Sequence, residues 1–205
     1  MGRVSQAQAR ENRRRVVETA SRLFREQGVH VSVADLMKAA GLTHGGFYKQ
    51  FDSKEALVDE ATAHAFEELA RTYGLDRGRG AREPGERDPG ERDPGEREAG
   101  RRAPAAQREL IEAYLSVRHR DNAAEGCPVA GLATDMARTD EGREAHRVYA
   151  EGVRDFADVL ATEEEDGLVR LCTMLGALVL ARATRDDPLS EDILTAARTA
   201  LTDGG

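Results

Sequence analysis

The chain has 205 residues, a net charge of -8 and 40% hydrophobic residues, which is enough for two helical lobes with cores of their own. Aromatic content is 4% with no Trp, so such cores rest on Leu, Val and Ala with a few Phe and Tyr. Two cysteines exclude a disulfide framework and zinc-ligand spacing, and the Arg-rich N-terminus carries no apolar run of the signal-peptide kind.

The first predicted helix has Val16, Ala20, Leu23 and Phe24 on one stripe, with charged residues between them, and Gly28 stands where a helix ends in the left-handed region. Ser32 offers a side-chain oxygen to the free N–H groups of a second, short helix. Asp35, three residues on, completes a capping-box-like start before Leu36, Met37, Ala39 and Ala40. Gly41 closes that helix, and Thr43 caps a third that runs from His44 through Phe51. Helix, tight glycine turn, helix is the helix-turn-helix arrangement. A fourth helix restarts at Asp52 or Ser53, with Ala56, Leu57, Ala61, Ala65, Phe66 and Leu69 as its apolar pattern.

Residues 76–102 differ in character. They include three consecutive five-residue units, Pro84-Gly85-Glu86-Arg87-Asp88, then Pro89 to Asp93, then Pro94 to Glu98, and eight arginines balance eight acids. Repeated Pro-Gly excludes a regular helix and nothing apolar gives a reason to pack, so a mobile loop inserted between helices is expected. Patterning resumes at Pro104, with Leu110, Ile111, Tyr114, Leu115 and Arg118 on one face of a helix ending near Asp121-Asn122. Pro128 suits the first position of the next helix, through about Ala137. Asp140 begins a longer one on which Tyr149, Val153, Phe156 and Leu160 recur at helical steps. Leu168 to Ala183 is apolar nearly all round. That stretch is short for a membrane span and broken by Arg170 and Arg182, so residence in the cytoplasm is expected, with no membrane partner. Asp186-Asp187-Pro188 ends it, and Ser190 caps a last helix edged by Ile193, Ala197, Ala200 and Leu201.

In order and spacing, Leu23-Phe24, Gly28, Ser32-Val33, Asp35-Leu36, Ala40-Gly41-Leu42, Gly46-Phe47-Tyr48, Phe51 and Ser53-Lys54-Glu55-Ala56-Leu57 resemble the TetR family of bacterial transcriptional regulators. Gly126-Cys127-Pro128-Val129-Ala130-Gly131-Leu132-Ala133 adds a further recognisable stretch. Two departures stand out: Gly45-Gly46 bares the recognition helix, and Met37 occupies a position where the family commonly has a small residue. The resemblance implies an all-α fold, with a three-helix helix-turn-helix DNA-binding domain over residues 1–54. A helical effector-binding and dimerisation domain over residues 55–205 follows, carrying the insert. It implies double-stranded, palindromic operator DNA as partner, a small-molecule effector of unknown identity, and a homodimer. Its dimer would be a four-helix bundle of the last two helices of each subunit, whose small residues, Gly176 and Ala197 among them, allow close approach. Charge agrees with a DNA-binding end. Residues 1–54 hold ten Lys or Arg against five Asp or Glu, giving +5, and the remainder carries -13.

The same resemblance places Thr43, His44 and Gly45 at base or phosphate contacts, with Ser32, Gly46, Tyr48, Lys49 and Lys54 completing the DNA-binding set. Phe47 is expected in the core. Arg10, Arg13 and Arg14 form either a phosphate or minor-groove arm or a solvated surface. For the effector, the implied lining is Phe66, Tyr114, Arg118, Cys127, Met136, Tyr149, Phe156, Leu171 and Met174, each of which has ordinary core or surface packing as its other reading. Arg118 with His119 either orients an anionic or carbonyl-bearing ligand or sits as surface charge near a helix end. Cys127 is either a reactive thiolate at a helix start or a small buried hydrophobe, and Cys172 is read as packing. His30, His64, His119 and His146 supply titratable groups, but no triad, phosphate loop or metal spacing emerges. No enzyme activity, cofactor or metal is expected. The leading function is a ligand-responsive repressor in which the fourth helix is the lever; an architectural DNA-binding protein without an effector is the alternative.

Overall fold

Every regular element among the described residues is a helix; the structure, a computed structural model, describes residues 6–73, 104–139, 143–163 and 165–202. The repeat-bearing segment at 76–102 and the expected helix start at Asp140 lie outside them.

Helix α1 (Gln6–Gln27) buries Val16, Val17, Ala20 and Phe24 on one stripe. It ends where Gly28 takes φ 84° and returns its N–H to the Phe24 carbonyl at 2.9 Å. Helix α2 (Val33–Ala39) starts as its residues dictate: the Ser32 hydroxyl accepts from the Asp35 N–H at 3.1 Å and donates to the Asp35 carboxylate at 2.6 Å. Gly41, at φ 70°, then reverses the chain.

The next element corrects the expectation of a third α-helix through Phe51. His44–Lys49 winds as a 3₁₀ turn, and Thr43, though extended, makes no side-chain cap. Two adjacent glycines cost an α-helix heavily in backbone entropy, which favours the tighter winding here although six residues exceeds the roughly three or four usual for a 3₁₀ run. Helix α3 (Lys54–Tyr73) is capped by Ser53, whose hydroxyl accepts from the Ala56 N–H at 3.1 Å.

The expected single helix over 104–121 is two, α4 (Pro104–Tyr114) and α5 (Val117–Asp121). Ser116 breaks it by donating to the Ala113 carbonyl at 2.7 Å and accepting from the His119 N–H at 3.2 Å, a local alternative to the helical ladder. Helix α6 (Pro128–Met136) has Pro at its first position, and α7 (Glu144–Leu160), α8 (Gly167–Ala183) and α9 (Leu189–Thr202) follow. Ser190 does not cap α9. It lies inside the helix, fully buried, donating to the Ala181 carbonyl at 2.7 Å and accepting from Arg120 Nη1 at 2.8 Å, while the Asp187 carboxylate takes the Leu189 N–H at 2.8 Å.

The residues pack into two units. One comprises Met1–Glu68 and Asn122–Ala150, the other Leu69–Asp121 and Glu151–Gly205. In the first, a continuous core runs from Phe24, Leu36, Met37, Phe47 and Leu57 to Leu132, Met136 and Ala145. The helix-turn-helix therefore shares its core with α6 and the start of α7. Asp59 on α3 reinforces this by accepting from the Ala145 N–H at 3.1 Å and pairing with Arg143 at 3.3 Å. In the second unit α8 packs along α9, burying Met174, Leu178, Ala181, Leu194 and Leu201.

Candidate nucleic-acid interface

Phe47 anchors the 3₁₀ turn: it is fully buried and stacks on Phe51 at 5.4 Å between ring centroids. With that anchor fixed, its neighbours turn outward. Thr43, His44, Gly45 and Lys49 are exposed, and Tyr48 is 67% exposed despite its size. The Tyr48 ring stands edge-on to buried Phe47 at 5.1 Å and to His44 at 6.2 Å, so Tyr48 rests on the core and His44 rests on Tyr48. Gly46 and Lys54 are half-buried, Lys54 opening α3 beside the same surface. An exposed phenol, an imidazole, two lysines and a hydroxyl on one short segment match what duplex DNA offers, phosphates to the cations and hydroxyls and base edges to the imidazole. Ser32 is exposed as well, but its hydroxyl is engaged in capping α2.

Arg13 behaves differently from a DNA-seeking arm. Its guanidinium lies 4.3 Å from the centre of the Phe51 ring, donates to the Gln50 carbonyl and pairs with Glu60. Arg13 thus braces the back of the outward-facing segment 43–49 from α1, a role that no local sequence pattern announces. Arg14 pairs with Glu11 and Glu18 along α1, and these carboxylates raise its pKa while Arg14 lowers that of Glu11.

The residues expected around an effector divide between the units. Phe66, Cys127, Met136 and Tyr149 belong to the first; Tyr114, Arg118, Phe156, Leu171 and Met174 belong to the second. All are buried except Tyr149, which is half-buried, and Arg118, which is exposed on the short α5. Phe66 meets Tyr149 edge-on at 5.7 Å, and the Tyr149 hydroxyl donates to the Val129 carbonyl at 2.8 Å. Burial pushes the Tyr149 phenol up to about 12, with Cys127 adding to the effect. In the second unit Tyr73, Phe156, Tyr114 and His119 form a row of successive ring contacts at 5.5, 5.9 and 4.6 Å. His119 Nδ1 lies 2.7 Å from the Tyr114 carbonyl, and Arg182 grips the carbonyls of His119 and Arg120 at 3.1 and 3.2 Å.

Cys127 is buried at the start of α6. Cys172 corrects its expected packing role: it is exposed, because its position on α8 shares the outward side with Leu168, Val169, Val179 and Leu180, all about half exposed. Among the described residues no group of three or more His, Cys, Asp and Glu is arranged to hold a metal ion, and no helix is long and apolar enough to cross a membrane.

The sequence model described as bacterial regulatory proteins of the tetR family matches residues 16–61, which contain the helix-turn-helix and the start of α3. The transcriptional regulator AcrR of Shigella flexneri is 39% identical over 61 residues, 29% of this chain and 28% of its own length. The transcriptional repressor KstR2 of Rhodococcus jostii is 37% identical over 62 residues, 30% of each chain. The chain therefore spans under a third of the curated relatives it matches. Solved structures extend the likeness in fold. A TetR transcriptional regulator from Chloroflexus aurantiacus superposes with a TM-score of 0.66 at 18% identity, covering 97% of this chain and 96% of that one. AibR, solved in complex with isovaleryl coenzyme A and operator DNA, gives a TM-score of 0.57 at 16% identity, covering 93% and 98%.

Proposed function

We propose that the chain, similar to bacterial regulatory proteins of the tetR family over residues 16–61 and in its all-helical fold, is a homodimeric, operator-binding repressor released by a small-molecule effector. The observation that carries this reading is the outward segment Thr43–Lys49, with Tyr48 resting on buried Phe47 and His44 set edge-on to Tyr48, at the basic end of an otherwise acidic chain. Thr43, His44, Gly45 and Gly46 face the major groove; Tyr48, Lys49 and Lys54 hold phosphates; Ser32 supports the approach through α2. Residues 1–54 form the DNA-binding domain, and residues 55–205 carry the effector site and the dimer.

Dimerisation is supported by the exposed apolar side of α8, with Leu168, Val169, Val179 and Leu180, and by Leu189 at the start of α9. Effector response is supported by the run of buried aromatic and thioether side chains and by the fold neighbour AibR, which was solved with an acyl coenzyme A and operator DNA together. The effector need only bind better to the dimer conformation whose two recognition segments do not fit successive major grooves. Its differential affinity then moves the population off the operator. The protein acts in the cytoplasm, without enzymatic turnover.

Recovery of genomic fragments bound by the purified chain tests this function. The expected product is a palindromic site with half-sites about one helical turn apart. Recovery of fragments with no shared sequence would contradict it.

A further inference from the structure

Neither glycine of the Gly45-Gly46 pair is required by the fold. Positive φ among the described glycines occurs at Gly28 and Gly41, so the pair needs no left-handed freedom. A Cβ on Gly45 would meet nothing within 4 Å, and one on Gly46 would meet the flexible end of Met37 at 3.5 Å and the Thr43 hydroxyl at 3.7 Å, both ordinary contacts. What the glycines do affect is winding. Gly46 donates to the Thr43 carbonyl at 2.9 Å and Gln50 to the Phe47 carbonyl at 2.8 Å, the three-residue spacing of a 3₁₀ turn, whereas Phe51 already reaches Phe47 at 3.0 Å with α spacing. The segment therefore sits at the border of the two helix types, and the residues least suited to the α form lie in its first half.

The difference bears on what the DNA would meet. Phe47 is fixed in the core, and His44 precedes it by three residues. In 3₁₀ winding, residues three apart eclipse one another, so exposed His44 stays in line with Phe47; in α winding the same step falls about 60° short of a full turn and gives His44 a different bearing toward the DNA.

We propose that Gly45-Gly46 holds the DNA-reading segment of the free chain in 3₁₀ winding and that seating on operator DNA rewinds residues 44–49 to α-helix. Gly46 is then a positioning residue that acts through His44 and weakens the complex by the cost of rewinding. This rests on the reading that residues 43–54 contact DNA. The Met37 methyl group would lie 3.5 Å from a Cβ on Gly46, an ordinary contact, so Gly46→Ala adds its methyl group without a clash.

The experiment compares backbone chemical shifts of residues 44–49 in the full chain, free and bound to a duplex that the wild-type chain has selected from a randomised pool. The Cα shifts of the bound segment move to α-helical values. In Gly46→Ala the free segment already lies closer to those values, and affinity for the same duplex rises about fivefold, equivalent to about 1 kcal/mol. Unchanged shifts on binding would overturn the proposal, as would a folded Gly46→Ala chain with wild-type or weaker affinity; should that variant not fold, the wild-type shifts still decide. Tyr48→Ala distinguishes the rewinding from the DNA interface on which it rests. Loss of binding in that variant with no shift change in the wild type defeats the rewinding alone, whereas undiminished binding defeats the underlying DNA interface.

Discussion

A Cβ on Gly131 would lie 3.0 Å from both the Cα and the carbonyl oxygen of Arg25. Helices α1 and α6 therefore meet backbone to backbone, a distance at which only glycine fits without displacement. Arg25, only 5% exposed, fastens the contact: Nη1 donates to the Gly126 carbonyl at 3.1 Å, Nη2 pairs with Glu68 at 2.7 Å and Nε returns to the Ser21 carbonyl at 3.2 Å. Nearby, the Asp135 carboxylate accepts the Val29 N–H at 3.2 Å. The end of α1 is thus held by α6 and by the loop before it.

Replacing Gly131 with Val should therefore force rigid backbone apart. The expected loss is about 1–3 kcal/mol of stability, the usual cost of overpacking, with Ala costing less. Denaturant unfolding of the two variants checks it; a Val variant as stable as the wild type would show that α1 and α6 separate easily.

Arg13→Ala should lower stability by roughly 1–2 kcal/mol, through loss of the Phe51 cation–π contact and the Gln50 and Glu60 partners, discounted because the side chain is about two-fifths exposed. The slope of log affinity against log salt should stay unchanged, since Arg13 neutralises Glu60 rather than a phosphate. A reduced slope would return Arg13 to the DNA-contacting arm.

His119 makes stability depend on pH. Burial lowers its pKa most; the Tyr114 carbonyl opposes this, and the charge of Arg182 reinforces it. The unfolded chain then takes up the proton first, so the contribution of neutral His119 is complete above its unfolded pKa of about 6.5 and is lost as pH falls through the lower folded value. In unfolding measured between about pH 7 and pH 5, the wild type should lose more stability than His119→Gln. Parallel curves would contradict the assignment.

Gly176 is exposed on α8, and a Cβ there would meet nothing within 4 Å in the subunit. Gly176→Arg should consequently leave the monomer folded while abolishing dimerisation and operator binding together, because two half-sites need two linked recognition segments. Sedimentation and operator titration of this variant check the pair of effects. A monomeric variant with wild-type operator affinity would contradict the proposed dimer.

Local chemistry made much of this fold legible in the sequence. Ser32 and Ser53 cap, Gly28 and Gly41 terminate, and Pro128 opens a helix because each acts within four residues of itself. Ser190 lies inside its helix rather than capping it because a hydroxyl has several partners to choose from and a tertiary one, the Ala181 carbonyl, wins, while the break at Ser116 is local but carries no signal distinct from an ordinary helical Ser. Arg25 and Gly126 are 101 positions apart, and nothing in either segment signals the bond. The outward side chains of segment 43–49 follow from Phe47 and Phe51 as anchors, but 3₁₀ against α winding is a small energetic difference that a residue pattern does not resolve. Cys172 shows the limit of apolar patterning. On a helix apolar all round, the pattern does not say which side faces the subunit's own core.

The central claim, that residues 43–54 read duplex DNA, is tested most directly by titrating His44→Ala, Tyr48→Ala and Lys54→Ala against a duplex selected by the wild-type chain, over a range of salt. Tyr48→Ala and Lys54→Ala should weaken binding across sequences, with Lys54→Ala reducing the salt slope by about 1 per half-site, while His44→Ala should relax base preference and leave the slope alone. Wild-type affinity, slope and base preference in all three folded variants would contradict the account.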